Sequence, residues 1–194
     1  MAVEDFDAYN SYGGDAGQWV WDLWADGYGG NGTGSTLGNE FEPVMSRDVV
    51  VGDGQALPLR YDNTGAFIDL NGALIANPLS EISRSFSPAQ DLTRNNAKTL
   101  MLWIRGDQIN TAQATDSLYL VLTDATGQKS TVVVAPPADL LKSYWQRKEL
   151  ALGPITGVDL TQITGLALGI GNPDSPQIGG SGLILVDDIV LATE

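Results

Sequence analysis

The sequence of 194 residues contains no cysteine and no histidine. Without cysteine there can be no disulfide staples, no thiolate metal sites and no thiol nucleophile. Without histidine the commonest general base and the commonest transition-metal ligand are both missing, which excludes most serine-hydrolase, zinc-hydrolase and histidine-dependent lyase mechanisms. Positive charge is scarce as well: 10 Lys and Arg stand against 24 Asp and Glu, a formal net charge of -14. That field repels phosphate backbones, so nucleic acid and anionic membrane are not expected partners, whereas neutral ligands and cations fit. No apolar run approaches the roughly 18 residues of a membrane span. The opening "MAVEDFDAYN" lacks the basic-then-apolar layout of an export signal, so any such signal has been removed or never existed.

What is present is glycine, 23 residues of it, punctuating short runs rich in Val, Ile, Leu, Thr and aromatics. Such punctuation predicts an all-β fold, a β-sandwich of two antiparallel sheets with long glycine-rich loops. At this length one domain spanning 1–194 is expected. Strands are predicted near 4–9, 18–25, 41–51, 55–62, 80–86, 98–106, 117–124, 129–134, 144–151, 163–171 and 183–192. A short helix is expected at "PPADLLKS", with Pro137 in its first turn. The segments "GYGGNGTGSTLGN" and "GNPDSPQIGGSG" read as loops on which binding residues could collect.

Side-chain alternation adds detail. In "KTLMLWIRGD", Leu100, Leu102 and Ile104 share a core face, while Trp103 and Arg105 share the other. In "DSLYLVLTD", Leu118, Leu120 and Leu122 join the core. Tyr119 then lies on the opposite face, and if these two strands are neighbours it joins Trp103 and Arg105. In the last strand, "LVDDIVL", Asp187 has the parity of Leu185, Ile189 and Leu191 and is expected to point inward. An unpaired buried carboxylate is costly and must be protonated, paired or bound to a cation. The first strand supplies Glu4, Asp5 and Asp7, and if the terminal strands lie side by side an oxygen-rich cluster suited to calcium results. The alternative is that these carboxylates are solvated or paired with Arg60 or Arg84.

The stretches "EDFDAY", "VGDGQALPLRY" and "LILVDDIVL" resemble the jelly-roll carbohydrate-binding modules attached to bacterial polysaccharide-degrading enzymes, in the galactose-binding-domain-like superfamily. The longer segments "VWDLWADGYG", "SEISRSF" and "KTLMLWIRGD" extend the likeness over nearly the whole chain. The resemblance implies a jelly roll excised from a larger secreted or cell-surface bacterial protein, with polysaccharide and neighbouring domains as partners. It also implies a structural calcium, held by Asp7 or Glu4, by the turn around Asp53 and Gln55, and by Asp187. No ligand site of a known module aligns with this sequence residue by residue.

Sugar sites need exposed aromatic rings for the apolar pyranose face and polar groups for the hydroxyls around it. Trp103, Arg105 and Tyr119 meet that need, and Glu81, Arg84, Asn63 and Asp107 could line the same groove. In "QWVWDLWADGYGG", Trp21 and Trp24 are expected to be structural. Asp22 and Asp26 would fix the loop, and Trp19 or Tyr28 would remain free for contact. Two other readings stand beside glycan binding. One is a spacer or adhesive module with no glycan ligand. The other is a jelly-roll hydrolase or lyase using Glu40 and Glu42 of "NEFEP", which have the period-2 spacing of a carboxylate pair.

Overall fold

A computed structural model describes all residues except 29–32, 53, 66, 69–73, 76 and 194, with no side-chain detail for 67, 68, 74 and 75. Its elements are β1 (Ala2–Glu4), β2 (Trp24–Ala25), β3 (Ser35–Leu37), β4 (Leu57–Asp62), β5 (Phe67–Ile68), β6 (Leu74–Ile75), β7 (Ser80–Gln90), β8 (Thr99–Arg105), β9 (Leu118–Asp124), β10 (Lys129–Ala135), β11 (Gln146–Ala151), β12 (Ile163–Ile170) and β13 (Ser181–Ala192). One sheet has the order β11-β8-β13-β4-β3, with β1 also paired to β13, and the other has the order β10-β9-β12-β7-β2. All these pairings are antiparallel. The predicted all-β sandwich of two antiparallel sheets is the fold observed. Among the described residues no helix is long and apolar enough to cross a membrane.

The core fills the space between the sheets. Leu57, Leu59 and Tyr61 of β4, Leu100, Leu102 and Ile104 of β8, and Ile184, Val186, Ile189 and Leu191 of β13 face Ile82, Leu118, Leu120, Leu122, Leu166, Leu168 and Ile170. Each fully buried aliphatic side chain contributes about 1.5 to 3 kcal/mol relative to exposure. The alternation read in β8 and β9 is therefore the one that packs.

Four expectations about the elements need correcting. Segment 41–51 is a series of bends, not a strand: Pro43 removes a backbone donor, and only Ser46 makes a bridge, to Ala56. Segment 18–25 is mainly a 3₁₀ turn, Val20–Asp22, before the two-residue β2. The segment predicted as a strand at 4–9 is strand only in Ala2–Glu4, where β1 sits. The helix expected at "PPADLLKS" is a 3₁₀ turn, Pro137–Leu141, with Pro at its start.

In β13 the parity is broken midway. Asp187 pairs with Trp103 and Val190 with Met101, three steps against two, and Asp188 takes the extra place at φ +46°. Ile184 and Val186 point inward before this bulge, and Ile189 and Leu191 after it. Asp187 thus leaves on the outer side with Leu185, contrary to the parity reading. It is nonetheless only 2% exposed, because the 46–56 loop reaches over it and Val51 N–H donates to its Oδ2 at 2.8 Å.

Candidate functional site

Trp19, Trp21 and Trp24 meet three different fates because the chain turns between them. Trp24, 1% exposed, is in the core. Its Nε1 donates to Glu4 Oε2 at 3.3 Å and to Tyr9 Oη at 3.2 Å, and its ring lies 6.0 Å from that of Phe6. Glu4 also accepts from Tyr9 Oη at 2.8 Å and is ion-paired with Arg84. Burial raises the Tyr9 phenol pKa and lowers that of the Arg84 guanidinium.

Trp19 and Trp21 instead stack on each other, with centroids 5.0 Å apart and planes 8° from parallel. Trp19 packs against the core, and Trp21 stays 48% exposed. Asp22 holds the turn by accepting Trp19 N–H at 2.9 Å. Gly38, at φ +80°, lets the chain pass beneath the Trp21 ring, where a Cβ would meet Val44. The expectation that Trp21 is buried is thus overturned, because a 3₁₀ turn does not follow period 2.

Beside Trp21 opens a pocket of about 550 Å³, lined by Asp26, Tyr28, Thr36, Leu37, Gly38, Asn39, Glu40 and Arg60. Tyr28 is 61% exposed. Asp26 fixes the loop by accepting Tyr28 N–H at 2.9 Å and Leu37 N–H at 2.8 Å. Two open rings with amide, hydroxyl, carboxylate and guanidinium groups around them suit a ligand with an apolar face and a polar rim. Sequence reasoning missed Trp21, Thr36, Asn39 and Arg60. Their signal was the glycine-rich loop itself, in which the short edge strand β3 lies.

The other residues singled out in the sequence are scattered. Trp103 and Arg105 do share the outer face of the first sheet, both half-buried. Tyr119 does not join them, because β8 and β9 belong to opposite sheets. It is buried on the outer side of the second sheet, packed against Gly169 and Ala167, and its hydroxyl donates to Glu81 Oε2 at 2.9 Å. Arg84 belongs to the Glu4 ion pair rather than to a groove. Asn63 is buried and structural, its Nδ2 donating to Asp116 Oδ1 at 2.8 Å and to the Ile170 carbonyl at 2.9 Å. Asp107 closes a turn by accepting Ile109 N–H at 3.2 Å. Glu40 and Glu42 lie in a bend, where Glu42 accepts Gly13 N–H at 2.7 Å.

Near the pairing of the first and last strands, Asp187 and Asp188 feel the charge of acidic neighbours without closing into a cage. Asp187 is pushed up to about 6 by burial and by its neighbours Asp188 and Asp7, while Asp188 is raised by burial and by Asp7 and Asp5. Asp7 Oδ1 accepts Gln55 N–H at 2.9 Å, and its carboxylate packs against Gly54 at φ +91°. Glu4 is paired with Arg84 instead. The Gln55 side chain is also committed, donating to the Phe6 and Tyr9 carbonyls at 3.1 and 2.5 Å and accepting from Ser11. Asp53 lies outside the described residues. Among those described, no three acidic side chains converge as a metal cage. Of the expected calcium ligands, Asp7 and Asp187 are the two that influence each other electrostatically.

No protein-family model matches this chain, and no curated protein matches it. Solved structures do. An exo-β-agarase superposes over 100% of this chain with a TM-score of 0.62 at 10% identity, and a family 30 carbohydrate-binding module over 89% with 0.52 at 12%. A β-1,2-glucanase from Parabacteroides distasonis superposes over 87% with 0.52 at 17%. The fold is the jelly-roll β-sandwich of carbohydrate-binding modules. The chain spans 25% of the agarase and 22% of the glucanase, but 88% of the family 30 module.

Proposed function

We propose that this chain is a non-catalytic carbohydrate-binding module that anchors a larger secreted or cell-surface bacterial protein to polysaccharide. The observation that carries the reading is the open pocket in which Trp21, backed by Trp19, and Tyr28 stand among Asp26, Thr36, Asn39, Glu40 and Arg60. A pyranose ring would stack on the exposed indole while these polar groups bond its hydroxyls. The fold shared with the family 30 module supports the same reading. Catalysis is disfavoured by the position of Glu40 and Glu42 in a bend, with Glu42 engaged by the backbone at Gly13. A spacer with no glycan ligand would have little use for an aromatic shelf this open.

A structural calcium bound by Asp7 and Asp187 with neighbouring carbonyls is part of the proposal. It would neutralise carboxylates whose mutual repulsion and burial already disfavour ionisation. Residues Asp7 and Asp187 would hold the ion, which would supply charge neutralisation and stiffen the junction of β1, β13 and the 46–56 loop.

Affinity electrophoresis against agarose, xylan and β-glucan tests the reading directly. Retardation on one of these glycans, abolished by Trp21→Ala, is expected. No retardation on any of them would overturn it.

A further inference from the structure

The pocket is not closed off from the sheet beside it. Arg60, one of its walls, projects from the outer face of β4, where its register neighbours are Thr36 on β3 and Leu183 on β13. Two residues further along, Pro58, Leu185 and Arg105 form the next row across β4, β13 and β8. The row after that brings Asp187 beside Trp103, with Arg147 of β11 beyond. The same outer face therefore runs from the Trp21 and Tyr28 shelf, over the half-buried Leu183 and Leu185, to the Trp103 indole. The 46–56 loop reaches this face at Asp187 and bounds it there.

Strand spacing and rise put Thr36 and Trp103 roughly 19 Å apart, three strands across and four residues along. That diagonal is longer than a disaccharide. Along it, no ion pair or side-chain hydrogen bond among the described residues engages Arg60 or Arg105, whereas Arg147 is paired with Glu149 at 2.6 Å. Two guanidinium groups with free donors, spaced between two aromatic stations on one sheet face, form a track rather than a socket.

We infer that the ligand is the interior of a linear, uncharged polysaccharide chain, laid from the Trp21 pocket across Arg60 and Arg105 to Trp103, which serves as a distal stacking station. This rests on the glycan-binding reading above and adds the mode of recognition. The net charge of -14 sets the preference for an uncharged chain. Trp103 and Arg105, singled out from the sequence, are thereby joined to the pocket the sequence did not reveal.

The test is isothermal titration with agaro-, xylo- and gluco-oligosaccharides from disaccharide to octasaccharide, on the wild type, Trp103→Ala and Arg105→Gln. Wild-type affinity is expected to rise with length up to about a tetrasaccharide or beyond. Each variant should weaken binding of the longer oligosaccharides by roughly three- to tenfold, as loss of one stacking or hydrogen-bonding station would. Disaccharide affinity should be unchanged, which also shows that the variants are folded. Length-independent affinity, or variants that bind long chains as tightly as the wild type, would overturn the extended track while leaving the pocket as a glycan site. Absence of binding by every oligosaccharide, with Trp21 intact, would remove both readings.

Discussion

Two indoles three residues apart in sequence, Trp21 and Trp24, show how differently the same side chain can be used. Around Trp24, the indole nitrogen, the Tyr9 hydroxyl, the Glu4 carboxylate and the Arg84 Nη1 bond to one another inside the protein, leaving Arg84 Nε buried without a partner among the described residues. Around Trp21, the stack on Trp19 leaves one ring face open and polar groups turned to a pocket. The difference is one of polar bookkeeping: a buried ring needs its polar tip partnered, while an exposed ring at a loop can leave that capacity to a ligand.

The largest expected effect is on the closed group. Trp24→Ala should destabilise the protein by about 3 to 5 kcal/mol, measured by denaturant unfolding, through the cavity it opens. Trp21→Ala should stay within about 1 kcal/mol of the wild type. Equal losses for the two would erase the distinction. Next comes Glu4→Leu, which strands Arg84 and takes the acceptor from Phe6 N–H, Tyr9 Oη and Trp24 Nε1. A loss of about 2 to 3 kcal/mol is expected, less than for a fully buried pair because Arg84 is partly exposed. For the open group, Trp21→Ala should weaken binding of a retained glycan about tenfold or more, a difference of ~1.4 kcal/mol, with no matching fall in melting temperature.

Acid supplies a reference perturbation outside both groups. The N–H of Asp159, the Thr126 hydroxyl and the N–H groups of Thr126 and Gln128 hold the Asp124 carboxyl down to about 2. A carboxyl with a depressed folded pKa stabilises fully above its unfolded value near 4, and loses that contribution as pH falls from about 4 toward about 2. Asp124→Asn should therefore be less stable than the wild type at neutral pH, and the gap should narrow over that acid interval. Trp21→Ala should follow the wild-type acid profile. The smallest effect is expected from Asp188→Gly, which removes a non-glycine residue at φ +46° and one of several like charges, a gain of up to about 1 kcal/mol in unfolding free energy, measured by denaturant unfolding in chelator.

The interior was legible because large apolar residues recur at every second position of β4, β8, β9 and β12. Leu100, Leu102 and Ile104 could be assigned to the core from spacing alone. The pairing of strands was not legible. Parity within β9 puts Tyr119 opposite Leu118 and Leu120, but it cannot say that the 106–117 connection carries the chain to the other sheet. The pocket escaped for a related reason. It is made by a 3₁₀ turn, a three-residue edge strand and a glycine at positive φ, none of which has a hydrophobic period. Asp187 was recognised as buried on a parity argument that the bulge at Asp188 invalidates; a covering loop supplies the burial instead.

The last strand, β13, lies between β8 and β4 and also carries β1. Without β13 that sheet is two separate ribbons, β11-β8 and β4-β3, so its closure waits on the last of the thirteen strands and must be a late and collective event.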